Sequence, residues 1–509
     1  MPELVIVGAG FAGLGLGIRL KRAGFDDFVI LERAGDVGGT WRDNVYPGVA
    51  CDIPSHLYSY SFRPKPDWSR VFAPGAEIQD YLREAAREEG LLRHIRFDDE
   101  LVKAAWVESE GNWTVHSTGG SITARVLVMA VGRLSEPQVP GIPGLDAFPG
   151  RAFHSARWQD ESLEALRVGV VGTGASAVQL VPELAGRAGR LVVFQRHPAW
   201  VLPRQDHAFT PAEQAAFARG SSGASRHRGL DTGPRRGLDS PGYRQALFDE
   251  AEALFPARIA GSPQIAALRE RAEAHLASSV ADPVLRAALT PDYEIGCKRA
   301  VFSDDYFPAL QRPGVVLEPS ALAAVDGSTA VAESGARYDL DALVLATGFE
   351  TTRPPFATRV TGRHGTLAGH WAHGMTSHAS TVVTGFPNLF VLDGPNAGLG
   401  HNSSIEVIEA QLDYVLGALD WLDGHPDSVL DVTPEAEAAY TALLDEAAER
   451  TVWVQGECAS WYTDHGRLTL LWPGTAAEFR ERNAGFDASV FAQQRLRVAA
   501  GGDVVEVLD

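Results

Sequence analysis

The sequence contains little cysteine and little lysine. Three of its 509 residues are cysteine (Cys51, Cys297 and Cys458), and they lie far apart, with no Cys-x-x-Cys pair. This usage excludes a disulfide framework, a zinc ribbon and a dithiol reductase site, and it is typical of a reducing cytoplasm. We expect no metal site. Lysine occurs only four times among 45 basic residues, so a lysine inside a motif stands out.

Long apolar runs are also absent. The most apolar stretch, residues 4–18, is interrupted by glycines and follows no basic segment, so we expect neither a signal peptide nor a transmembrane helix. The net charge of -20 argues against nucleic acid and anionic membranes as partners, because its field repels both. A chain of 509 residues exceeds one ordinary core and should form two or three domains. These properties predict a cytoplasmic globular protein that acts on small molecules.

A dinucleotide-binding fingerprint opens the chain. An apolar strand at residues 4–7 runs into Gly8, Gly10 and Gly13, and after a helical stretch a second strand ends at Glu32. The first glycine allows a tight turn, and the second lets backbone N–H groups approach a pyrophosphate. A carboxylate about 20 residues further on accepts hydrogen bonds from a ribose 2′-hydroxyl and repels a 2′-phosphate. This first unit therefore suits FAD or NAD(H) rather than NADP(H).

A second fingerprint follows the apolar strand at residues 168–171. The nucleotide contacts predicted from its turn and helix are Gly172, Thr173, Gly174, Ala175, Ser176 and Gln179. The next strand, residues 191–194, ends in Gln195-Arg196 instead of an acid. A guanidinium at this position can hold a 2′-phosphate in bidentate geometry. We therefore predict FAD in the first unit and NADP(H) in the second, with Gln195 and Arg196 among the NADP(H) contacts.

Two further apolar strands have the same small-residue ending. Residues 126–131 end in Ala-Val-Gly, and residues 343–345 run into Ala-Thr-Gly. The repeats predict an α/β protein with two doubly wound, Rossmann-like dinucleotide-binding domains, of which the FAD domain is discontinuous. The predicted segments are 1–147 (FAD domain, first part), 148–208 (NADP domain, first part), 209–292 (helical insertion in the NADP domain), 293–380 (NADP domain, second part) and 381–509 (FAD domain, second part, with a C-terminal cap).

The predicted insertion differs in composition from its surroundings. Residues 220–240 are rich in Gly, Ser and Arg and predict a loop, whereas residues 243–255 and 265–289 show helical spacing. A substrate lid and a solvent-exposed excursion both fit this pattern. Further on, Ser403 and Glu406 predict a capping box at the start of a helix, and residues 453–474 predict a Trp-rich cap without chemistry.

The stretch between the two fingerprints carries a specific pattern. Residues 148–158 read Phe-Pro-Gly-Arg-Ala-Phe-His-Ser-Ala-Arg-Trp, which is the spacing F-x-G-x-x-x-H-x-x-x-W. Gly-Gly-Thr-Trp at 38–41 and Tyr-Pro-Gly-Val-Ala-Cys-Asp at 46–52 precede it. In these motifs the chain resembles the Baeyer–Villiger monooxygenases, flavoenzymes that insert oxygen beside a ketone carbonyl. It departs from the family at Gln159, where Pro or Asp is usual.

The resemblance implies further site residues. The cofactor contacts that it implies are Thr40, Trp41, Asp52, Tyr58, Val102 and Lys298. In the family, the lysine of the Lys298-Arg299 pair faces the NADP phosphate and the arginine lies over the flavin. Arg299 is then the catalytic cation, and Asp52 orients it through a charge-assisted pair. The linker residue His154 is expected to couple the two domains.

The reaction implied is insertion of one atom of dioxygen next to the carbonyl of a small-molecule ketone, with FAD and NADPH, to give an ester or lactone. Three alternatives stay open: a nitrogen- or sulfur-oxygenating flavin monooxygenase, an uncoupled NADPH oxidase, and a non-catalytic flavin-binding protein. The oxidase needs only the nucleotide sites, and a non-catalytic protein has no need of Lys298 and Arg299. No readable motif encodes the ketone or the oligomeric state.

Overall fold

A computed structural model of the chain describes residues 3–158, 162–219, 240–456, 458 and 460–495. Gln159 and nearly all of the predicted loop 220–240 lie outside these residues. Within the described ranges, no helix combines the length and apolar character needed to cross a membrane.

The strands of the described residues are numbered in chain order. They are β1 (Leu4–Val7), β2 (Phe28–Leu31), β3 (Ile95–Arg96), β4 (Leu101–Val107), β5 (Asn112–Ser117), β6 (Gly120–Ala124), β7 (Val126–Met129), β8 (Arg151–His154), β9 (Arg167–Val171), β10 (Arg190–Phe194), β11 (Val201–Leu202), β12 (Val301–Phe302), β13 (Val315–Glu318), β14 (Leu322–Asp326), β15 (Thr329–Ala332), β16 (Arg337–Asp339), β17 (Ala342–Leu345), β18 (Val360–Gly362), β19 (Gly365–Thr366), β20 (Leu389–Val391), β21 (Ser428–Val432), β22 (Thr463–Asp464), β23 (Arg467–Leu468) and β24 (Phe491–Arg495).

The α-helices are numbered in the same way. They are α1 (Phe11–Arg22), α2 (Thr40–Asp43), α3 (Gly75–Glu88), α4 (Ala175–Leu184), α5 (Pro211–Arg219), α6 (Ser240–Glu252), α7 (Pro263–Ser279), α8 (Pro283–Leu289), α9 (Tyr306–Leu310), α10 (Leu367–His370), α11 (Ser404–Gly424), α12 (Pro434–Ala448), α13 (Val452–Gln455) and α14 (Ala476–Asn483).

The first fold is built on a five-stranded parallel sheet in the order β3-β2-β1-β7-β20. Every residue of β1, β2 and β7 is buried, which explains why these strands are unbroken apolar runs. The strand β20 enters this sheet from beyond the second fold. The first fold is therefore discontinuous, as predicted.

The second fold repeats this topology. Its five parallel strands lie in the order β13-β10-β9-β17-β8. In both sheets the fingerprint strand (β1 or β9) is central, its βαβ partner (β2 or β10) lies on one side, and the crossover strand (β7 or β17) lies on the other. The prediction of two doubly wound dinucleotide-binding folds is confirmed.

The helices of the predicted insertion pack on both folds, not on the second alone. Phe217 of α5 and Tyr243 of α6 belong to the apolar core of the first fold. Leu276 of α7 and Leu289 of α8 belong to the core of the second. The expected continuous helical pattern over 265–289 is split in two, because Asp282 caps a new helix at the backbone N–H of Val284.

The chain returns to the first fold earlier than predicted. The strand β18 pairs in parallel with β4, in a sheet ordered β19-β18-β4-β5-β6. Residues 360–366 therefore associate with the segment predicted as 1–147 and not with the second part of the NADP domain. The predicted boundary at residue 381 lies too late. Nothing in the local sequence marks the pairing of β18 with β4.

Two of the three cysteines are joined. Cys297 and Cys458 form a disulfide with Cα atoms 6.3 Å apart, across a separation of 161 residues. The expectation that excluded a disulfide framework is wrong for this pair, because spacing along the chain does not report proximity in the fold. Cys51 is free and buried.

Candidate active site

One cleft runs between the two nucleotide folds, with a volume of about 1100 Å³. The glycine turns that follow β1 and β9 both open onto it. Ligands of doubly wound sheets bind beyond the carboxyl ends of the strands, where these turns lie. The two fingerprints therefore face one shared space.

The first glycine turn fits a pyrophosphate. Gly8 has φ +106, and a Cβ there would lie 2.5 Å from the carbonyl oxygen of Ala130, so a side chain is excluded. A Cβ on Gly13 would collide with the carbonyl oxygen of Gly8, which makes Gly13 a packing contact between helix and strand. A Cβ on Gly10 would meet only the Cα of Gly39, at 3.8 Å. The helix α1 starts here with no side-chain cap, so its first N–H groups remain for a ligand.

Glu32 lies where a nucleotide ribose is expected, but it also holds the fold together. Its side chain lines the cleft and is nearly buried, at 3% exposure of the residue. The carboxylate accepts hydrogen bonds from the backbone N–H of Ala9 (2.9 Å) and of Ala34 (3.0 Å). Arg42 donates to it at 2.7 Å. Glu32 thus fixes the glycine turn while keeping negative charge beside the cleft.

The second glycine turn has the same open geometry. A Cβ on Gly174 would meet nothing within 4 Å, and α4 begins after it with no side-chain cap. Thr173 donates through Oγ1 to the carbonyl of His197 at 2.7 Å, which ties the turn to the loop after β10. Ala175 and Ser176 also line the cleft.

A cationic group stands beside this second turn. Arg196, His197 and Lys298 all line the cleft, and Arg196 is exposed. Neither Arg196 nor Lys298 forms an ion pair within the described ranges. Burial, and then the neighbouring Arg196, lowers the pKa of Lys298. Arg196 and Lys298 repel each other, and the 2′-phosphate of NADP(H), a dianion, would relieve that repulsion by pairing with both.

Two predicted cofactor contacts do not reach the cleft. Gln195 is buried at 2% exposure and donates instead to the carbonyl of Ala288 at 2.7 Å. Val102 is 54% exposed on β4, while the preceding Leu101 lines the cleft. The register of β4 against β5 shifts between Leu101 and Lys103, and the side chains of Val102 and Lys103 are both exposed.

Arg299 and Asp52 form the central pair of the cleft. The Nε and Nη2 atoms of Arg299 donate to Oδ2 of Asp52 at 2.9 and 2.7 Å. The side chains are 33% and 24% exposed, so the pair is shielded yet accessible from the cleft. The Asp52 carboxylate raises the pKa of Arg299 well above its ordinary value. The positive charge is therefore permanent, and the structure brings together the two predicted catalytic residues.

The other predicted flavin-side residues form one wall of the cleft. Thr40, Trp41 and Tyr58 line it. Trp41 donates through Nε1 to the hydroxyl of Tyr58 at 3.3 Å, and their rings meet edge to face at 5.5 Å. Cys51 lies beside them, and burial, followed by the nearby Asp52, raises the pKa of its thiol. Cys51 therefore stays a neutral thiol and is no candidate nucleophile.

Gln179 lines the cleft and also connects the two folds. It lines the cleft, as predicted for a cofactor contact. It also accepts a hydrogen bond from the hydroxyl of Tyr46 at 2.9 Å and donates to the carbonyl of Ala50 at 2.9 Å. These bonds tie α4 of the second fold to the loop of the first fold that leads into Asp52.

The linker motif packs against the second fold. His154 ends β8, accepts at Nδ1 from the backbone N–H of Ala156 at 3.1 Å, and meets the ring of Phe349 edge to face at 5.6 Å. Phe349 lines the cleft. Burial lowers the pKa of His154, and the Gly348 backbone opposes this only in part. The imidazole is a neutral packing group behind the cleft wall.

Sequence reasoning missed several cleft residues, among them Arg133, Asp393, Trp461 and Tyr462. Arg133 and Asp393 face each other at 2.8 Å, and Arg133 also donates to Oγ of Ser404 at 2.9 Å. Trp461 and Tyr462 come from the segment predicted to carry no chemistry, yet both line the cleft. Arg133 could have been found, because it follows the small-residue ending of the crossover strand β7. Nothing in the local sequence marks Trp461 or Tyr462.

The helix α11 begins at this cleft and is anchored from the insertion. Ser403 caps it through the backbone N–H of Ile405, but Glu406 pairs with Arg244 of α6, so the predicted capping box is wrong. His401 does not line the cleft; its Nε2 lies 3.1 Å from Glu252 of α6. Burial alone would raise the pKa of Glu252, but the His401 contact and backbone N–H groups lower it to about 2.

Comparisons with known proteins agree with this geometry. A family model described as pyridine nucleotide-disulphide oxidoreductase matches residues 5–220. A Baeyer–Villiger monooxygenase of Streptomyces coelicolor is 45% identical over 96% of this chain and 92% of its own length. An oxidized steroid monooxygenase bound to NADP superposes with a TM-score of 0.80 at 33% identity, covering 94% of this chain and 96% of that one.

A second solved structure, OTEMO in complex with FAD and NADP, has a TM-score of 0.80 at 26% identity, over 94% of this chain and 96% of its own. The cofactors in these neighbours are those for which the two glycine turns are shaped. Full-length similarity at this level, together with the Arg299–Asp52 pair at the junction of two nucleotide folds, confirms the resemblance. The chain belongs to the Baeyer–Villiger monooxygenases, a family of FAD- and NADPH-dependent flavin monooxygenases.

Proposed function

We propose that this enzyme catalyses Baeyer–Villiger oxidation of a small-molecule ketone. The overall reaction converts ketone, dioxygen, NADPH and a proton into ester or lactone, NADP⁺ and water. One oxygen atom enters the carbon–carbon bond beside the carbonyl, and the other leaves as water. The bond between Arg299 and Asp52 in the shared cleft carries this proposal.

Arg299 has the properties that oxygen insertion demands. Attack on a ketone carbonyl develops negative charge on the carbonyl oxygen, and a fixed cation lowers the energy of that state. A guanidinium keeps its proton even when shielded, whereas a lysine in the same place could lose its own. Asp52 contacts two nitrogens of Arg299 and leaves the third, Nη1, without an Asp52 bond. We assign Nη1 as the donor that faces the reacting oxygen.

Reduced FAD, when bound, supplies the reducing power that activates dioxygen. The residues of the chain position the nucleotides around that chemistry. The N–H groups after Gly10 hold the FAD pyrophosphate, and Glu32 accepts from its ribose. Arg196 and Lys298 hold the 2′-phosphate of NADPH. Trp41 and Tyr58 exclude water from the cleft wall, which limits loss of the activated oxygen.

The test is turnover in ¹⁸O₂ with purified, FAD-loaded enzyme and NADPH. A panel of cyclic, open-chain and steroid ketones covers the substrate range, because one structural neighbour is a steroid monooxygenase. The proposal predicts an ester or lactone that carries one ¹⁸O in its ring or ester oxygen. Amines and sulfides form the matched arm of the panel. Oxygenation of these compounds without any ester would assign the enzyme to heteroatom oxygenation instead.

A further inference from the structure

The disulfide between Cys297 and Cys458 lies directly beside the proposed catalytic cation. Cys297 is separated from Arg299 by Lys298 alone. Cys458 precedes Trp461 and Tyr462, which line the same cleft as Arg299. A covalent bond thus joins the turn that carries Arg299 to the segment that carries an aromatic wall.

The Cys297 side is a tight turn in which residues 295–297 are buried. Cys297 is 0% exposed, and its backbone N–H donates to the carbonyl of Glu294 at 3.2 Å. Gly296 in this turn has φ +88, and a Cβ there would contact Val452 of α13 at 3.4 Å. The turn therefore rests on the start of the Trp-rich segment, and its position depends on how that segment is held.

The Cys458 side is built to accept the bond. A Cβ on Gly456 would lie 2.8 Å from Sγ of Cys297, so only a glycine leaves room for the sulfur atoms. Cys458 is half-buried and packs against the apolar cluster that contains Cys297, Trp453 and Tyr462. The cleft wall and the disulfide thus share one packed cluster.

Arg299 and Tyr462 both line the cleft and influence each other electrostatically. Burial raises the pKa of Tyr462, and the positive charge of Arg299 opposes that rise. No hydrogen bond joins the two side chains within the described residues. The disulfide is a covalent connection between the turn that precedes Arg299 and the segment that carries Tyr462.

We propose that Cys297 and Cys458 form a redox modification site that positions Arg299 against the cleft wall. The inference rests on the proposed role of Arg299. In the disulfide form the turn and the wall are held together, and oxygen transfer is well coupled to NADPH consumption. In the dithiol form they can separate, and more of the NADPH is consumed without product.

The oxidant is hydrogen peroxide, which a flavin monooxygenase releases when NADPH oxidation is not followed by oxygen transfer. The half-buried Cys458 thiol reacts first and becomes a sulfenic acid, with loss of one water. The Cys297 thiol then attacks that sulfur, the disulfide forms, and a second water leaves. One peroxide is reduced as two thiols are oxidised. Hydrogen peroxide from uncoupled turnover therefore forms the disulfide, and the disulfide raises the amount of product formed per NADPH consumed.

The first experiment reads the chemistry without relying on activity. FAD-loaded protein is treated with dithiothreitol or with hydrogen peroxide, desalted and unfolded in denaturant for thiol titration. The proposal predicts three thiols after reduction and one after oxidation, since only Cys51 is free. Peptide mapping should join the peptide of Cys297 to that of Cys458. Three thiols after peroxide treatment would overturn the proposal.

The second experiment measures how the disulfide affects the coupling of NADPH consumption to product formation. Product formed per NADPH consumed should be higher in oxidised than in reduced wild-type enzyme, by about twofold to about tenfold. This effect is smaller than the roughly hundredfold loss expected if Arg299 moved by a full ångström. The variant Cys458→Ser is the control, because it retains Cys51 and removes only the half-buried partner. Its coupling should match that of reduced wild type and should not change with either reagent.

Hydrogen exchange separates failure of this inference from failure of the proposed function. Backbone amides at 294–299 and 460–463 should exchange more slowly in oxidised wild type than in the Cys458→Ser variant. If the disulfide forms and slows exchange, but neither the oxidised nor the reduced enzyme oxidises a ketone, the proposed function is refuted and the modification site is supported. If coupling and exchange are identical in the oxidised and reduced forms, the positioning role is refuted.

Discussion

The two nucleotide folds share one strand order but end their second strands in opposite ways. In the first fold, Glu32 follows β2, is nearly buried, and is held by two backbone N–H groups and by Arg42. In the second, Arg196 follows β10, is exposed, and has no ion-pair partner among the described residues. One residue is built into its fold, and the other is left free for a ligand. The position equivalent to Glu32 is Gln195, which is also buried, so the second fold places its recognition residue one position further along the chain.

The largest expected difference concerns folding stability. Glu32→Gln removes the charge that pairs with Arg42. Because Arg42 keeps its pair with Asp43, we expect a loss of about 1.5 to 3 kcal/mol, the range for hydrogen bonds to charged groups. Arg196→Gln, one residue beyond the equivalent position in the second fold, should change the free energy of unfolding by less than about 0.5 kcal/mol. Urea unfolding of both apo variants measures this contrast. Equal losses of stability would show that the two strand ends are not specialised in this way.

Recognition of the phosphate is the next effect. Arg196→Ala should raise the KM for NADPH about tenfold, if about 1.4 kcal/mol of phosphate pairing is lost. The KM for NADH should stay unchanged, because NADH has no 2′-phosphate. Arg187, an exposed arginine outside the cleft, supplies the control variant Arg187→Ala, which should change neither constant. A parallel rise for both cofactors would place Arg196 elsewhere in the reaction.

Gln195 sharpens the contrast within the second fold, since it adjoins Arg196 but points away from the cleft. Gln195→Leu removes the hydrogen bond to the Ala288 carbonyl and should cost about 1 kcal/mol of stability. The KM for NADPH should remain that of the wild type. Thermal unfolding and steady-state kinetics on one preparation give both values. A raised KM with unchanged stability would restore Gln195 as a cofactor contact.

The smallest effect depends on pH. Because burial and Arg196 lower the pKa of Lys298, this side chain loses its charge at a lower pH than a free lysine does. The KM for NADPH should therefore rise, by up to about threefold, already below the ordinary lysine pKa of about 10.4. Lys298→Arg, which stays charged over this range, should flatten the rise. A pH profile unchanged by this substitution would remove Lys298 from phosphate recognition.

The sequence predicts the parts of this molecule whose chemistry is local. A strand, a glycine turn and a helix must follow one another in the chain to form a nucleotide loop, so Gly10, Gly174 and the residues around them could be found. The pairing of Arg299 with Asp52 came from resemblance alone, since 247 residues separate them. The fold supplies the contact that verifies it.

The parts that could not be predicted depend on distant packing. Cys297 and Cys458 carry no spacing signal, and the pairing of β18 with β4 follows no local pattern. The positions of the Gln195 and Val102 side chains also depend on features that the sequence does not show. Gln195 is turned toward the carbonyl of Ala288, and Val102 lies at a register shift in β4.

NADPH supplies the electrons and the two nucleotide folds position it, whereas Arg299, where the folds meet, enables oxygen transfer. The most direct measurement is the ratio of ester formed to NADPH consumed in wild type and in Arg299→Ala, with hydrogen peroxide quantified alongside. We predict that the variant oxidises NADPH and releases hydrogen peroxide, while ester formation falls by roughly a hundredfold or more. Asp52→Ala should show a smaller loss, because Asp52 only orients the cation. Ester formation by Arg299→Ala at a rate near that of the wild type would contradict the claim.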